Sequence, residues 1–305
     1  MLTCLDIGGT FIRFGQPEPD GRVPEAGRCP TPVSDFKDFA AALSGIAKTT
    51  GATALSVSLA GVYDSRTGLA RVANIPCLDG RHVARDLEAA LGLPVRITND
   101  ADCFALAEAH LGAGRGKPVT FGIILGSGVG GGVVVNGALL QGFGGISGEW
   151  GHGPAIDPTA GGLAPGLPAL PCGCGQTGCL DAHGSARGME KLHLALHGAT
   201  CDSTEITAAW HAGDEGAART IDIYTEIVAR ALSVIVNTLG PDAVPCSGGL
   251  SGDARLVAEI DRKLRGRVLA TYAAPLVTVG QHAANGGLVG AAIAGADMVP
   301  AGASA

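Results

Sequence analysis

Aromatic residues are scarce in this chain, at 4% of 305 residues. Charged residues are also few, at 16%, against 46% hydrophobic, a composition that buries a core rather than staying disordered. Basic residues are outnumbered: 21 Lys and Arg face 28 Asp and Glu, a formal net charge of −7, which argues against nucleic acid as a partner. No apolar run reaches the roughly 18 residues of a membrane helix. The mean hydropathy of +0.30 comes from Ala and Val spread along the chain. No charged segment leads the first apolar stretch, and Asp6 interrupts it, so no signal peptide is expected and the cytoplasm is the expected location. Gly-Lys-Ser/Thr does not occur, which excludes a Walker-type phosphate loop.

Glycine, by contrast, is abundant, with 49 residues, and two clusters punctuate a repeated pattern. Residues 2–7 read as a strand that turns at Gly8-Gly9-Thr10 and returns as residues 11–15. Helical spacing follows over 35–49, a strand over 55–60 ending at Gly61, a helix over 82–91, and a strand over 95–98. Asn99-Asp100 then opens a helix to Leu111. Residues 112–118, Gly-rich and ending in Pro, form the best hinge. After it the pattern recurs: strand over 119–125, glycine turn over 126–132, returning strand over 133–135, and a hairpin turn at Asn136-Gly137. Residues 153–171 read as a Pro/Gly-rich loop, 204–240 as mostly helical, 242–244 as a short strand into Ser247-Gly248-Gly249, and 287–296 as a closing helix. The pattern predicts a duplicated, two-lobed α/β fold.

Both glycine tips, Gly8 to Thr10 and Gly126 to Gly132, can turn successive backbone N–H groups outward, which suits phosphate. A dinucleotide fingerprint would need the turn to open a helix, and here a strand follows. Nine Cys without a secretion signal point away from a disulfide framework. Cys4, Cys29, Cys77, Cys103, Cys201 and Cys246 are scattered and read as small buried hydrophobes. Cys172, Cys174 and Cys179 place three thiolates within eight residues, a pattern suited to tetrahedral zinc. His152, flanked by glycines, is the expected fourth ligand, with His183 as competitor. Four protein ligands leave no open position, so the metal would be structural. No basic helix surrounds residues 180–200, which counts against a nucleic-acid zinc finger.

Two readings stand for Asp100: a helix N-cap, or a general base at a strand end. Asp6 reads as a turn residue or as a carboxylate near Mg²⁺-bound phosphate. Glu149 and Asp181 each lie within three residues of an expected metal ligand, so the metal would hold both in place.

Together these pieces resemble one family. Asp6-Ile-Gly-Gly-Thr10 resembles the first phosphate motif of sugar kinases with the actin-like ATPase (ribonuclease H-like) fold. Glu149-Trp-Gly-His152 with Pro171-Cys-Gly-Cys-Gly-Gln-Thr-Gly-Cys179 resembles the signature of the ROK family. Asn74-Ile75-Pro76, Asn99 to Ala105, and Pro241-Asp242 through Ser251 fall in the same order, and the stretch from Asn74 to Ser185 looks most like its bacterial N-acetylglucosamine kinases.

The resemblance implies an ATP-dependent kinase acting on the 6-hydroxyl of an N-acetylhexosamine, with Asp100 as base. It implies sugar contacts from Gly61, Asn74, Asn99, Asp100, Glu149, His152 and Asp181, and ATP contacts from Asp6, Gly8, Gly9, Thr10, Gly126, Ser127, Gly128, Gly130 and Gly131. Gly248 and Gly249 would line the adenosine pocket. His152 would give one ring nitrogen to structural Zn²⁺ and the other to the sugar. Mg²⁺ would accompany ATP. The expected partners are ATP, a small sugar and a second copy of the chain in a homodimer, with no nucleic acid and no membrane. The expected lobes are 1–116 with 287–305, closed by the C-terminal helix, and 117–286, carrying the zinc loop. Glucose, N-acetylmannosamine and fructose are the alternative sugars. A sugar-responsive regulator is disfavoured, because Asp6 opens the first motif with no expected DNA-binding segment before it. Three positions depart from the family pattern: Asp181 stands where Glu is usual, Ser247 where Gly is usual, and Phe11 where many members have Lys.

Overall fold

The computed structural model describes residues 1–299. They form two compact units: Met1–Leu111, Gly132–Ser147 and the chain from Asn285; and Gly112–Gly131 with Gly148–Ala284. The chain passes from one unit to the other four times, first at Leu111/Gly112, where the glycine-rich hinge begins. The sequence expectation kept 117–286 together. Gly132–Ser147 instead goes with the first unit, where Val134 packs with Ala105 and Leu106. Residues 300–305 of the expected small lobe lie outside the described residues.

The first unit begins with the hairpin β1 (Leu2–Ile7) and β2 (Phe11–Gly15), extended by β3 (Glu25–Pro30). Helix α1 (Phe36–Thr50) follows; Asp35 caps it by accepting from the amides of Lys37 and Asp38, and Gly51 ends it in the left-handed conformation. Then come β4 (Ala54–Leu59), the short pair β5 (Val62–Tyr63) and β6 (Ala70–Arg71), α2 (Val83–Leu91), β7 (Val95–Asn99) and α3 (Asp100–Leu111). The sheet order is β3-β2-β1-β4-β7, with β1, β4 and β7 parallel. Alternation divides β1 cleanly. Leu5 and Ile7 join Leu43 of α1 and Leu87 of α2 in one core. Leu2 and Cys4 join Cys103 and Ala107 of α3 in another, which leaves Asp6 at the end of that same side.

The chain continues with β8 (Val119–Leu125), β9 (Val129–Val135) and β10 (Ala138–Leu139). A long loop leads to four helices: α4 (Asp181–Gly184), α5 (Ala186–His197), α6 (Ser203–His211) and α7 (Glu215–Leu239). The last elements are β11 (Val244–Ser247), α8 (Ala254–Arg265), β12 (Val277–Val279) and α9 (Gly286–Ala294). The second sheet runs β10-β9-β8-β11-β12. Strand for strand this repeats the first: an antiparallel trio beginning with a glycine-tipped hairpin, then two strands parallel to the first of the trio. The second glycine turn is shorter than expected, since β9 resumes at Val129. The helical stretch 204–240 is broken at Gly213, where Asp214 caps α7. Among the described residues no helix is long and apolar enough to cross a membrane.

Candidate functional site

In the first unit, Asp6 at the end of β1 receives an ion pair from Arg13 of β2 and a hydrogen bond from Ser58 Oγ at 3.0 Å. The adjoining turn is held from outside by Thr31, which donates its amide to Thr10 O at 3.0 Å and its hydroxyl to Gly8 O at 2.7 Å. Asn74 lies against this turn: a Cβ on Gly9 would stand 3.0 Å from Asn74 Cβ. A cavity of about 430 Å³ opens here, and Asp6, Gly8, Gly9, Thr10 and Asp100 all line it.

The two readings of Asp100 separate at the start of α3. Asn99 Oδ1 accepts from the amides of Ala101 at 2.8 Å and Asp102 at 3.1 Å. Asp100 Oδ1 accepts from the single amide of Ala101 at this helix start, at 3.0 Å. Asn99 is therefore the principal cap. Its Nδ2 also donates to Gly61 O at 2.8 Å, which ties β7 to the end of β4 and leaves one amide hydrogen for a ligand.

In the second unit, Trp150 sets the Glu149–His152 segment. It is 6% exposed, packs edge-on to Phe121 of β8, and donates Nε1–H to Gly130 O at 2.7 Å. Any side chain at Gly151 would run into Val129 O, so glycine is required for this close approach. His152 Nδ1 then faces Cys172 Sγ at 3.6 Å, and its Nε2 lies 3.8 Å from Glu149 Oε2. Burial holds the Glu149 carboxyl above its usual range; neighbouring His152 pulls it down and Asp181 pushes it up.

His152, Cys172, Cys174 and Cys179 bring one ligand atom each within 4.8 Å of one another. Tetrahedral bonds of about 2.3 Å to sulfur and about 2.0 Å to nitrogen imply S···S edges of about 3.8 Å and S···N edges of about 3.5 Å. The Cys174–Cys179 separation is 3.7 Å and the Cys172–His152 separation 3.6 Å, so the donors fit a tetrahedral metal ion. The amide of Gly153 donates to Cys179 Sγ at 3.3 Å. A backbone hydrogen bond at Gln176 is the main cause that lowers the Cys174 thiol to about 7, while burial pushes Cys172 up to about 12. His183 stands outside this group. Its ring nitrogens meet Cys179 O at 3.1 Å and Pro168 O at 2.9 Å, in the interior.

Asp181 links the loop to the second glycine turn. Its Oδ1 accepts from Val129 N at 2.7 Å and its Oδ2 lies 3.7 Å from Cys172 Sγ. Behind the turn, Gly248 has φ +92°, and a Cβ there would strike Leu125 O, so the β11 end closes tightly on the β8 end. A cavity of about 710 Å³ spreads from Gly126 and Ser127 to Gly249, walled by Thr207 and His211 of α6 and Arg255 of α8. Gly128 lies against Asp181, and Gly130 and Gly131 belong to β9 behind Trp150. The α6 and α8 wall, like Arg13 and Arg28 in the first cavity, was not read from sequence. Its residues carry no motif; only the capping box Asp202–Glu205 marks where α6 starts.

A family profile described as the ROK family matches residues 2–297. A protein named N-acetyl-D-glucosamine kinase from Aliivibrio salmonicida (strain LFI1238) is 32% identical over 297 residues, 96% of this chain and 98% of its own length. The crystal structure of a ROK hexokinase from Thermus thermophilus superposes with a TM-score of 0.82 at 31% identity, covering 96% of each chain. A ROK family glucokinase from Streptomyces griseus, solved with glucose and AMPPNP, gives a TM-score of 0.77 at 25% identity over 96% of this chain and 98% of that one.

Proposed function

The chain belongs to the ROK family, with its actin-like ATPase fold, and is a sugar kinase; from that premise we propose that it transfers the terminal phosphoryl group of ATP to the 6-hydroxyl of N-acetyl-D-glucosamine. The observation that carries the mechanism is the division of labour at the start of α3. Asn99 is the principal cap, and Asp100 lines the phosphate-turn cavity, a position that suits a base. Asp100 takes the proton from the sugar hydroxyl as it attacks. Phosphoryl transfer is mostly positioning and charge stabilisation, which the backbone N–H groups of the two glycine turns supply. Mg²⁺ arrives with ATP as part of the substrate. The adenosine end of ATP occupies the cavity beside Gly249. Glu149 and His152 Nε2 hold sugar hydroxyls, and Asn74, Gly61 and the remaining Asn99 amide hydrogen contribute further sugar contacts.

His152 and the three cysteines would hold Zn²⁺, which supplies no chemistry to the transfer. It would fix the imidazole so that Nδ1 faces the metal and Nε2 keeps its proton for the sugar or Glu149. The enzyme works in the cytoplasm, as a homodimer, a state that light scattering measures.

The sugar is proposed on the named relatives that are 32–34% identical across almost their whole lengths. Glucose is the second reading, favoured by the likeness to the glucokinase and by Asp181, whose carboxylate is turned to Val129. A coupled ADP-release assay across N-acetylglucosamine, N-acetylmannosamine, glucose and fructose tests this. The expected result is the highest kcat/KM with N-acetylglucosamine. A higher value for glucose overturns the assignment.

A further inference from the structure

One register row crosses the whole first sheet and is polar on every strand. Arg28 of β3 stands opposite Arg13 of β2, Arg13 opposite Asp6 of β1, Asp6 opposite Ser58 of β4, and Ser58 opposite Thr98 of β7. The row lies toward the carboxyl ends of the three parallel strands, the end at which open α/β sheets bind ligands. Two guanidinium groups stand in register on adjacent strands, an arrangement that destabilises a sheet by itself. Asp6 neutralises Arg13. Arg28 is met by Glu25, whose Oε1 lies 3.0 Å from its Nε, and its side chain is largely exposed. Both arginines line the 430 Å³ cavity of the glycine turn. Phe11, the other outward residue at this end of β2, brings no charge to it.

We propose that Arg28, alongside the Asp6-anchored Arg13, is a phosphate-binding arm of this cavity, taking phosphoryl oxygens of the polyphosphate donor or of the phosphorylated product. An anion between the two arginines converts their mutual repulsion into attraction. A planar guanidinium matches a phosphate with two parallel hydrogen bonds, and the turn's backbone N–H groups serve the same anion. Asp6 thereby holds Arg13 upright in the row.

This inference rests on the kinase reading, and its test is separable from it. Inorganic tripolyphosphate and, separately, sugar 6-phosphate are titrated calorimetrically into wild type, Arg28→Ala, Arg28→Lys and a charge control, Arg262→Ala on α8. Arg28→Ala should weaken at least one of the two ligands by about tenfold or more, the loss of one good charged contact. Lys should restore only part of it, and the control should match wild type. Loss for tripolyphosphate assigns the arm to the donor and should raise the KM for ATP with the sugar KM unchanged. Loss for sugar phosphate assigns it to the product. Equal affinities of wild type and Arg28→Ala for both ligands overturn the proposal, even in an active kinase. If binding depends on Arg28 but no sugar is phosphorylated, the arm stands and the kinase reading falls. Arg28 is 63% exposed in its side chain, so the variants should fold, and an unchanged melting temperature verifies it.

Discussion

Asp181 accepts the amide hydrogen of Val129 at 2.7 Å, and that bond hangs the second glycine turn on the cysteine-rich loop. Val129 is buried, so its amide has no ready water to replace the carboxylate. Asp181→Ala should cost about 1–3 kcal/mol, the range for orphaning a buried donor, and should raise the KM for ATP because the turn loosens. Asp181→Asn keeps an acceptor and should do much less. Melting curves and ATP titrations of the two variants check this; equal behaviour of Ala and Asn would mean that the bond does not hold the turn.

The metal prediction is stoichiometric. Freshly purified, untagged protein should carry about one zinc per chain by elemental analysis. Chelation or Cys174→Ser should lower the melting temperature, because the donors converge only in the folded loop. Zinc-free protein with the same stability would overturn the assignment.

At the start of α3 two adjacent substitutions should separate stability from turnover. Asp100→Asn should lower kcat by on the order of 10²–10⁴, the usual loss of a general base, with little change in melting temperature. Asn99→Ala should cost about 0.5–2 kcal/mol as a lost cap, and more through the Gly61 contact. Near-normal turnover in folded Asp100→Asn would refute its role as base.

Close packing at Gly151 gives a steric prediction. Gly151→Ala should move the segment bearing Glu149 and His152, since its Cβ would press into Val129 O. The expected signature is a raised sugar KM together with weaker zinc retention. Loss of neither would show that the segment tolerates the shift.

What was legible in the sequence follows from local chemistry. Apolar runs broken by glycine tips marked both hairpins, because turn residues and short apolar runs are properties of neighbours. The cysteine spacing marked the loop, because three donors sit within eight residues. Strand β3 went unread: Glu25-Ala-Gly-Arg-Cys-Pro30 has no alternation, and it is a strand only because β2 offers it an edge. Helix α8 was missed among its charges, and α5 went unread behind the metal loop. Which of Asn99 and Asp100 is the principal cap was also illegible, since both residue types cap well and only the hydrogen-bond directions decide.

The last helix belongs to the first unit. Leu288, Val289 and Ala291 of α9 share a core with Leu2, Cys4 and Cys103, and Gly290 passes so close to Cys103 O that no side chain fits between them. On the ribosome, then, residues 1–111 are made well before α9 and must wait with this face uncovered until residues 286–294 have been synthesised. A premature stop that spared every residue of the phosphate turns and the metal loop would still leave the opening hairpin without its final packing layer. A nonsense mutation just before Gly286 should therefore be as damaging to accumulation of the protein as one inside the first unit itself.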